Sequence, residues 1–223
     1  MVAAGRFRRL VQTLLDFLYP ATCLVCDGEV VGEGPWVCTA CWERLPRFSD
    51  GAERASDGLA YKAVWEFDEA VQRIVHAFKF FGKRSLALPL AQRMAAAVAV
   101  DGAFRGGDLL VPVPLHKTRL RERGFNQSWL LAQGVSAILG IPCVDALVRQ
   151  RYTKAQSRLN LAARQQNVAG AFAVRDAEAV SGKHVLLVDD VTTTGATLRA
   201  CAEVVRQAGA ASVRGLTAAK TPL

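Results

Sequence analysis

Val185-Leu-Leu-Val188 is an unbroken apolar run that ends in two adjacent carboxylates, Asp189 and Asp190. Alternating polarity would mark a strand with one wet face. An unbroken run marks a strand covered on both faces, as in a parallel sheet layered between helices. After Val191 come Thr192, Thr193, Thr194, Gly195, Ala196 and Thr197, and then a helical pattern that runs to Gln207 and closes at Gly209. A strand feeding directly into a helix points to an α/β fold. With 223 residues, 51% of them hydrophobic, the chain has room for one such core and a small appendage.

The turn has a chemistry of its own. Small residues let a backbone approach a ligand closely, and their amides and hydroxyls, with the positive end of the next helix, can surround a phosphate. Carboxylates repel a phosphate, so Asp189 and Asp190 suit hydroxyls beside it. A phosphate a few ångströms from a diol is a ribose 5-phosphate. The plain alternative is a strand and turn with no ligand, because Asp and Thr are ordinary turn and cap residues. The segment lacks the Lys of a P-loop and the glycine spacing of a dinucleotide fingerprint.

The rest of the chain reads in order. Phe7, Leu10, Val11, Leu14, Leu15 and Leu18 fall at helical spacing with arginines on another face. Such a helix either covers its own domain or lies on a membrane. Asp16 interrupts the apolar stretch and no small-residue cleavage site follows, so the chain is read as cytoplasmic. No apolar run approaches the roughly 20 residues of a membrane span. Cys23-Leu-Val-Cys26 and Cys38-Thr-Ala-Cys41 offer four thiolates to one tetrahedral ion, the pattern of a structural zinc ribbon. Disulfides and redox chemistry are the competing readings. Cys143 and Cys201 are expected to be buried thiols. Arg47 to Gly58 is polar and reads as a linker. Strands are expected at Leu59–Phe67, Asp108–Pro114, Ile141–Leu147, Ala171–Val174 and Ser212–Thr217, and helices at Glu69–Phe80, Ser85–Val100, to Leu139 after a loop from His116 to Gln127, and Leu161–Val168. His76 reads as a packed or capping residue.

The net charge of +8 is concentrated. Between His116 and Arg164 lie nine basic residues (Lys117, Arg119, Arg121, Arg123, Arg149, Arg151, Lys154, Arg158 and Arg164) against Glu122 and Asp145, a net of +7. That concentration suggests an anionic partner, although a charged run can also be a solvated face.

The acid pair and Thr-Gly turn closely resemble the phosphoribosyl pyrophosphate (PRPP) loop of type I phosphoribosyltransferases. Val-Pro-Val-Pro-Leu with its Arg-Gly-Phe-Asn-Gln tail, Thr-Lys-Ala-Gln-Ser-Arg-Leu, and the four-cysteine ribbon narrow the resemblance to the ComF family, associated with competence and DNA utilisation. The resemblance implies a mostly parallel sheet flanked by helices over residues 59–223, a helix and zinc ribbon over 1–48, and a linker over 49–58. By the same resemblance Asp189 and Asp190 hold the ribose hydroxyls with Mg²⁺. Thr192, Thr193, Thr194, Gly195, Ala196 and Thr197 hold the 5-phosphate. Lys117, Arg119 and Arg121 lie near the pyrophosphate, and Lys154, Arg158 and Arg164 belong to a closing hood. The implied activity is transfer of a ribosyl phosphate to an acceptor that the sequence does not name. The alternative is PRPP binding without turnover, in an adaptor for single-stranded DNA and the uptake machinery, with Phe125, Trp129 and Tyr152 available for stacking.

Overall fold

A computed structural model describes residues 22–30, 34–48, 53–54, 58–104, 106–152, 168 and 170–222. The expected N-terminal helix, most of the helix from Leu161, and Lys154, Arg158 and Arg164 lie outside these residues. Two compact units divide between Leu45 and Pro46.

The first unit carries the four cysteines and a short helix, α1 (Thr39–Arg44). Its Cys23 amide donates to Gly28 O at 2.7 Å, closing the first knuckle through Asp27, whose φ is +57°.

The second unit is built on a five-stranded sheet. Its strands are β1 (Glu53–Arg54), β2 (Ala60–Glu66), β3 (Leu109–Pro112), and two more introduced below as β6 and β7. Asp68 caps α2 (Glu69–Phe80) by accepting from Val71 N at 2.8 Å. Next come α3 (Ala87–Ala99), α4 (Lys117–Arg123) and α5 (Gln127–Leu139). A two-stranded antiparallel ribbon, β4 (Leu147–Arg149) with β5 (Phe172–Val174), leads through α6 (Ala177–Val180) to β6 (His184–Thr192), α7 (Ala196–Gln207) and β7 (Ser212–Lys220). The sheet order is β1-β2-β7-β6-β3, parallel except for β1.

β6 is central, and Val185 to Val188 are all at most 3% exposed. Each such buried side chain contributes roughly 1.5–3 kcal/mol. α7 packs on one face of the sheet; α3 and α5 cover the other. The last two helices cross closely, since a Cβ placed on Gly134 would meet Ala91 Cβ at 2.5 Å.

Three expectations are corrected. The Lys117–Arg123 stretch is a helix and not a loop, because His116 Nδ1 caps it by accepting from Thr118 N. The strand expected at Ile141–Leu147 is reduced to one bridge, Leu110 to Cys143, because Pro142 has no N–H to extend the ladder. Pairing resumes only at Leu147, and there with β5, outside the main sheet. Cys143 is only half-buried, whereas Cys201 is fully buried.

Candidate functional site

β6 is longer than its apolar run. Against β3 its ladder ends at Val188, where Val113 N makes the last bond to Val188 O at 2.9 Å. The flanking Pro112 and Pro114 have no amide to offer. Against β7 pairing continues through Asp189–Thr217 to Thr192–Lys220. The segment from Asp189 to Thr192 is therefore held on one side and open on the other, and the opening is a cleft of 380 Å³. The acids are not at a strand end, as the apolar run alone suggested, but inside the strand. Asp189 and Asp190 are only 8% and 4% exposed.

Oδ1 of each acid accepts within the fold, whereas the buried Asp190 Oδ2 has no hydrogen-bond partner among the described residues and only an ion-pair contact. Ser128 Oγ donates to Asp189 Oδ1 at 2.8 Å, and the Asp190 amide donates to the same oxygen at 2.9 Å. The Val191 amide donates to Asp190 Oδ1 at 2.7 Å, while Lys79 Nζ lies 2.6 Å from Asp190 Oδ2. Burial, followed by the adjacent Asp190 charge, pushes the Asp189 carboxyl up to about 7, against the pull of Ser128, Lys79 and the Asp190 amide.

The turn after β6 reaches that cleft through Thr197; Thr192, Thr193, Thr194, Gly195 and Ala196 lie outside its lining. Gly195, at φ +77°, opens α7 without a capping side chain. The first amide, Ala196 N, donates to Thr194 Oγ1, and the turn's remaining amides are the ones suited to a bound acceptor. Thr192 is buried, Thr193 and Thr194 are half-buried, and Thr194 Oγ1 lies 3.4 Å from Ala196 N. Arg199 Nη1 donates to Thr194 O at 2.7 Å and fixes the turn from below. Thr197 lines the cleft with the two acids.

Each residue of Arg-Gly-Phe-Asn-Gln has a distinct place on the opposite wall. Arg123 lines the cleft. Gly124, at φ +78°, reverses the chain after α4. Phe125 is buried against Phe78, with the Arg84 guanidinium 4.7 Å from its ring centre, so it is core and not a stacking surface. Asn126 caps α5 by accepting from Ser128 N and donates to Val113 O at 3.1 Å, tying the proline loop to the helix. Gln127 is buried in the cleft wall.

Of the expected pyrophosphate residues, Arg119 lines the cleft, whereas Lys117 and Arg121 are exposed and outside its lining. Lys79, Arg123 and Arg149 line it and were not among the candidates; nor were His116, Gln127 and Ser128. Lys79 is masked in the sequence by the apolar rhythm of α2. Tyr152, 47% exposed, packs edge-on to His116 and stands 5.7 Å from the Arg119 guanidinium. Trp129 is half-buried and lines a neighbouring 290 Å³ cleft.

In the first unit, the sulfurs of Cys23, Cys26, Cys38 and Cys41 all lie within 4.8 Å of one another, Cys26 and Cys38 at 4.0 Å. Tetrahedral bonds of about 2.3 Å to zinc require sulfur separations near 3.8 Å, so the four fit one ion and leave no open position. Backbone amides of Val25 and Cys38 point at Cys23 Sγ, as thiolate ligands require.

A double zinc ribbon domain model matches residues 14–52, and a phosphoribosyl transferase domain model matches residues 126–222. The DNA utilization protein YhgH of Salmonella typhi is 34% identical over 158 residues, covering 68% of either chain. Competence protein F of Haemophilus influenzae is 28% identical over 220 residues, covering 86% of this chain and 93% of that one. Competence protein ComFC of Bacillus subtilis is 26% identical over 239 residues, covering 90% and 95%.

Proposed function

The chain belongs to the ComF family, and from that premise we propose that it binds PRPP with Mg²⁺ in the cleft beside β6. The observation that carries the reading is the convergence of an acid pair, Thr197 in the first turn of α7 and four cations on one 380 Å³ space. The ribose hydroxyls donate to Asp189 and Asp190. The turn from Thr192 to Thr197 takes the 5-phosphate through its amides and hydroxyls. The pyrophosphate faces Arg119, with Lys117 and Arg121 adding longer-range attraction from the outer face of α4. Lys154, Arg158 and Arg164 follow Tyr152 in the chain and are assigned to the hood that excludes water.

Carboxylate oxygens are the donors that hard cations prefer, so the acid pair fits Mg²⁺, which contributes neutralisation of the departing pyrophosphate. In a transfer, the C1–O bond breaks with its electron pair leaving on pyrophosphate, and the acceptor's lone pair forms the new bond at C1. The protein's part is to position the two and to stabilise the leaving charge with arginine.

A second reading is binding without turnover, in a protein that handles single-stranded DNA. Its support is the pairing of exposed aromatics with arginines along the rim: Tyr152 with Arg119, and Phe80, 61% exposed, with Arg123 at 5.0 Å. The names of the relatives, DNA utilization and competence, point the same way. Calorimetry with PRPP and Mg²⁺ tests the shared claim. Replacing Asp189→Asn and Asp190→Asn together is expected to weaken binding by at least about tenfold, from charged hydrogen bonds worth roughly 1.5–3 kcal/mol each. Unchanged affinity overturns the PRPP reading. Pyrophosphate release above the protein-free rate, with candidate acceptors present, separates a transferase from a binder.

A further inference from the structure

The ion pair between Lys79 and Asp190 lies inside the cleft, with side chains only 18% and 6% exposed. Both partners line the cavity, so a ligand that fills it must meet the pair. Beside it Arg123 also lines the cavity. Its Nη1 is buried with no hydrogen-bond partner among the described residues, and its guanidinium is held against the Phe80 ring. A buried donor without an acceptor is unfavourable, so this wall is complete only when something anionic enters.

We infer that Lys79 and Arg123 form an anion subsite that Asp190 closes in the absence of ligand, and that a ligand opens it only by bringing both sugar hydroxyls and a diphosphate. This deepens the PRPP reading and rests on it for the identity of the joined ligand. The reason is the cost of separating the pair. An anion that draws Lys79 away leaves a buried carboxylate without its counter-ion, and hydroxyls that displace Lys79 from Asp190 leave a half-buried ammonium without its counter-ion. Either half of the ligand meets one of these penalties. A diphosphorylated sugar exchanges both partners at once: its hydroxyls donate to Asp190 while its diphosphate accepts from Lys79 and Arg123. The ion pair thereby makes the cleft selective against free diphosphate and free ribose 5-phosphate, the two halves.

The test uses the full chain, calorimetry, and inorganic diphosphate as a probe independent of PRPP. Asp190→Asn releases Lys79, so diphosphate is expected to bind about tenfold tighter than to wild type even as PRPP binds more weakly. In Lys79→Met/Asp190→Asn the gain should vanish, and PRPP should bind about 10- to 100-fold more weakly than to Asp190→Asn alone. The comparison survives if Lys79→Met by itself fails to fold, because the uncompensated carboxylate is gone from both variants compared. Diphosphate affinity that does not rise in Asp190→Asn, or a rise that persists without Lys79, overturns the inference. A rise that requires Lys79, in a chain that never binds PRPP, upholds the subsite and refutes the PRPP reading instead.

Discussion

Asp189→Asn is expected to stabilise the protein at alkaline pH while impairing the site. The wild-type carboxyl is buried in the cleft wall and its pKa is raised from an ordinary 3.8 to about 7, by burial first and by the Asp190 charge second. For an acid whose folded pKa is raised, the folded state holds the proton more tightly than the unfolded chain. The associated stability is fully present below the unfolded value and is lost as pH rises through about 7. At about 1.4 kcal/mol per unit, the two units between pH 5 and the folded pKa correspond to a loss of roughly 3 kcal/mol by pH 8. The Asn side chain keeps the shape and an oxygen to accept from Ser128, but it does not titrate. Chemical denaturation of wild type and variant at pH 5 and pH 8 checks the difference, and any titration of the cysteine unit cancels because both proteins carry it. The stability gap should widen in the variant's favour by roughly 3 kcal/mol between the two conditions. A gap that does not change with pH, or a variant less stable than wild type at pH 8, refutes the claim that Asp189 is a buried acid held against its own solvation.

Two further outcomes are expected. Elemental analysis should find about one zinc per chain, lost in Cys38→Ser/Cys41→Ser; zinc retained by that variant removes the assignment. Fluorescence anisotropy with a labelled single-stranded oligonucleotide should report weak binding that declines with salt at about −0.7 per phosphate neutralised. No binding at low salt excludes direct DNA contact, and binding unaffected by excess PRPP excludes a shared surface.

What was legible in the sequence is local. Val185 to Val188 announces a strand buried on both faces because every residue in it must leave water, and it is found at the sheet's centre. The two Cys-x-x-Cys knuckles specify their cluster because each pair is already close along the chain. Glu69–Phe80 begins at Asp68, whose carboxylate reaches only three residues ahead. The electrostatics of the cleft are not local. Ser128 meets Asp189 across 61 residues, and Lys79 reaches Asp190 from a helix that precedes the proline loop, so no spacing rule connects them. The basic run shows the division most clearly. As a string, Lys117, Arg119, Arg121 and Arg123 are equivalent; wound into α4, residues four apart share a face. Arg119 and Arg123 then line the cleft while Lys117 and Arg121 are exposed. Residue type determined that the acid pair and the turn could meet a phosphorylated sugar. Tertiary packing decided that the acids would be buried, that the Asp189 carboxyl would be raised above an ordinary acid, and which cations would face them, because burial and charge proximity are set by what the rest of the chain brings alongside.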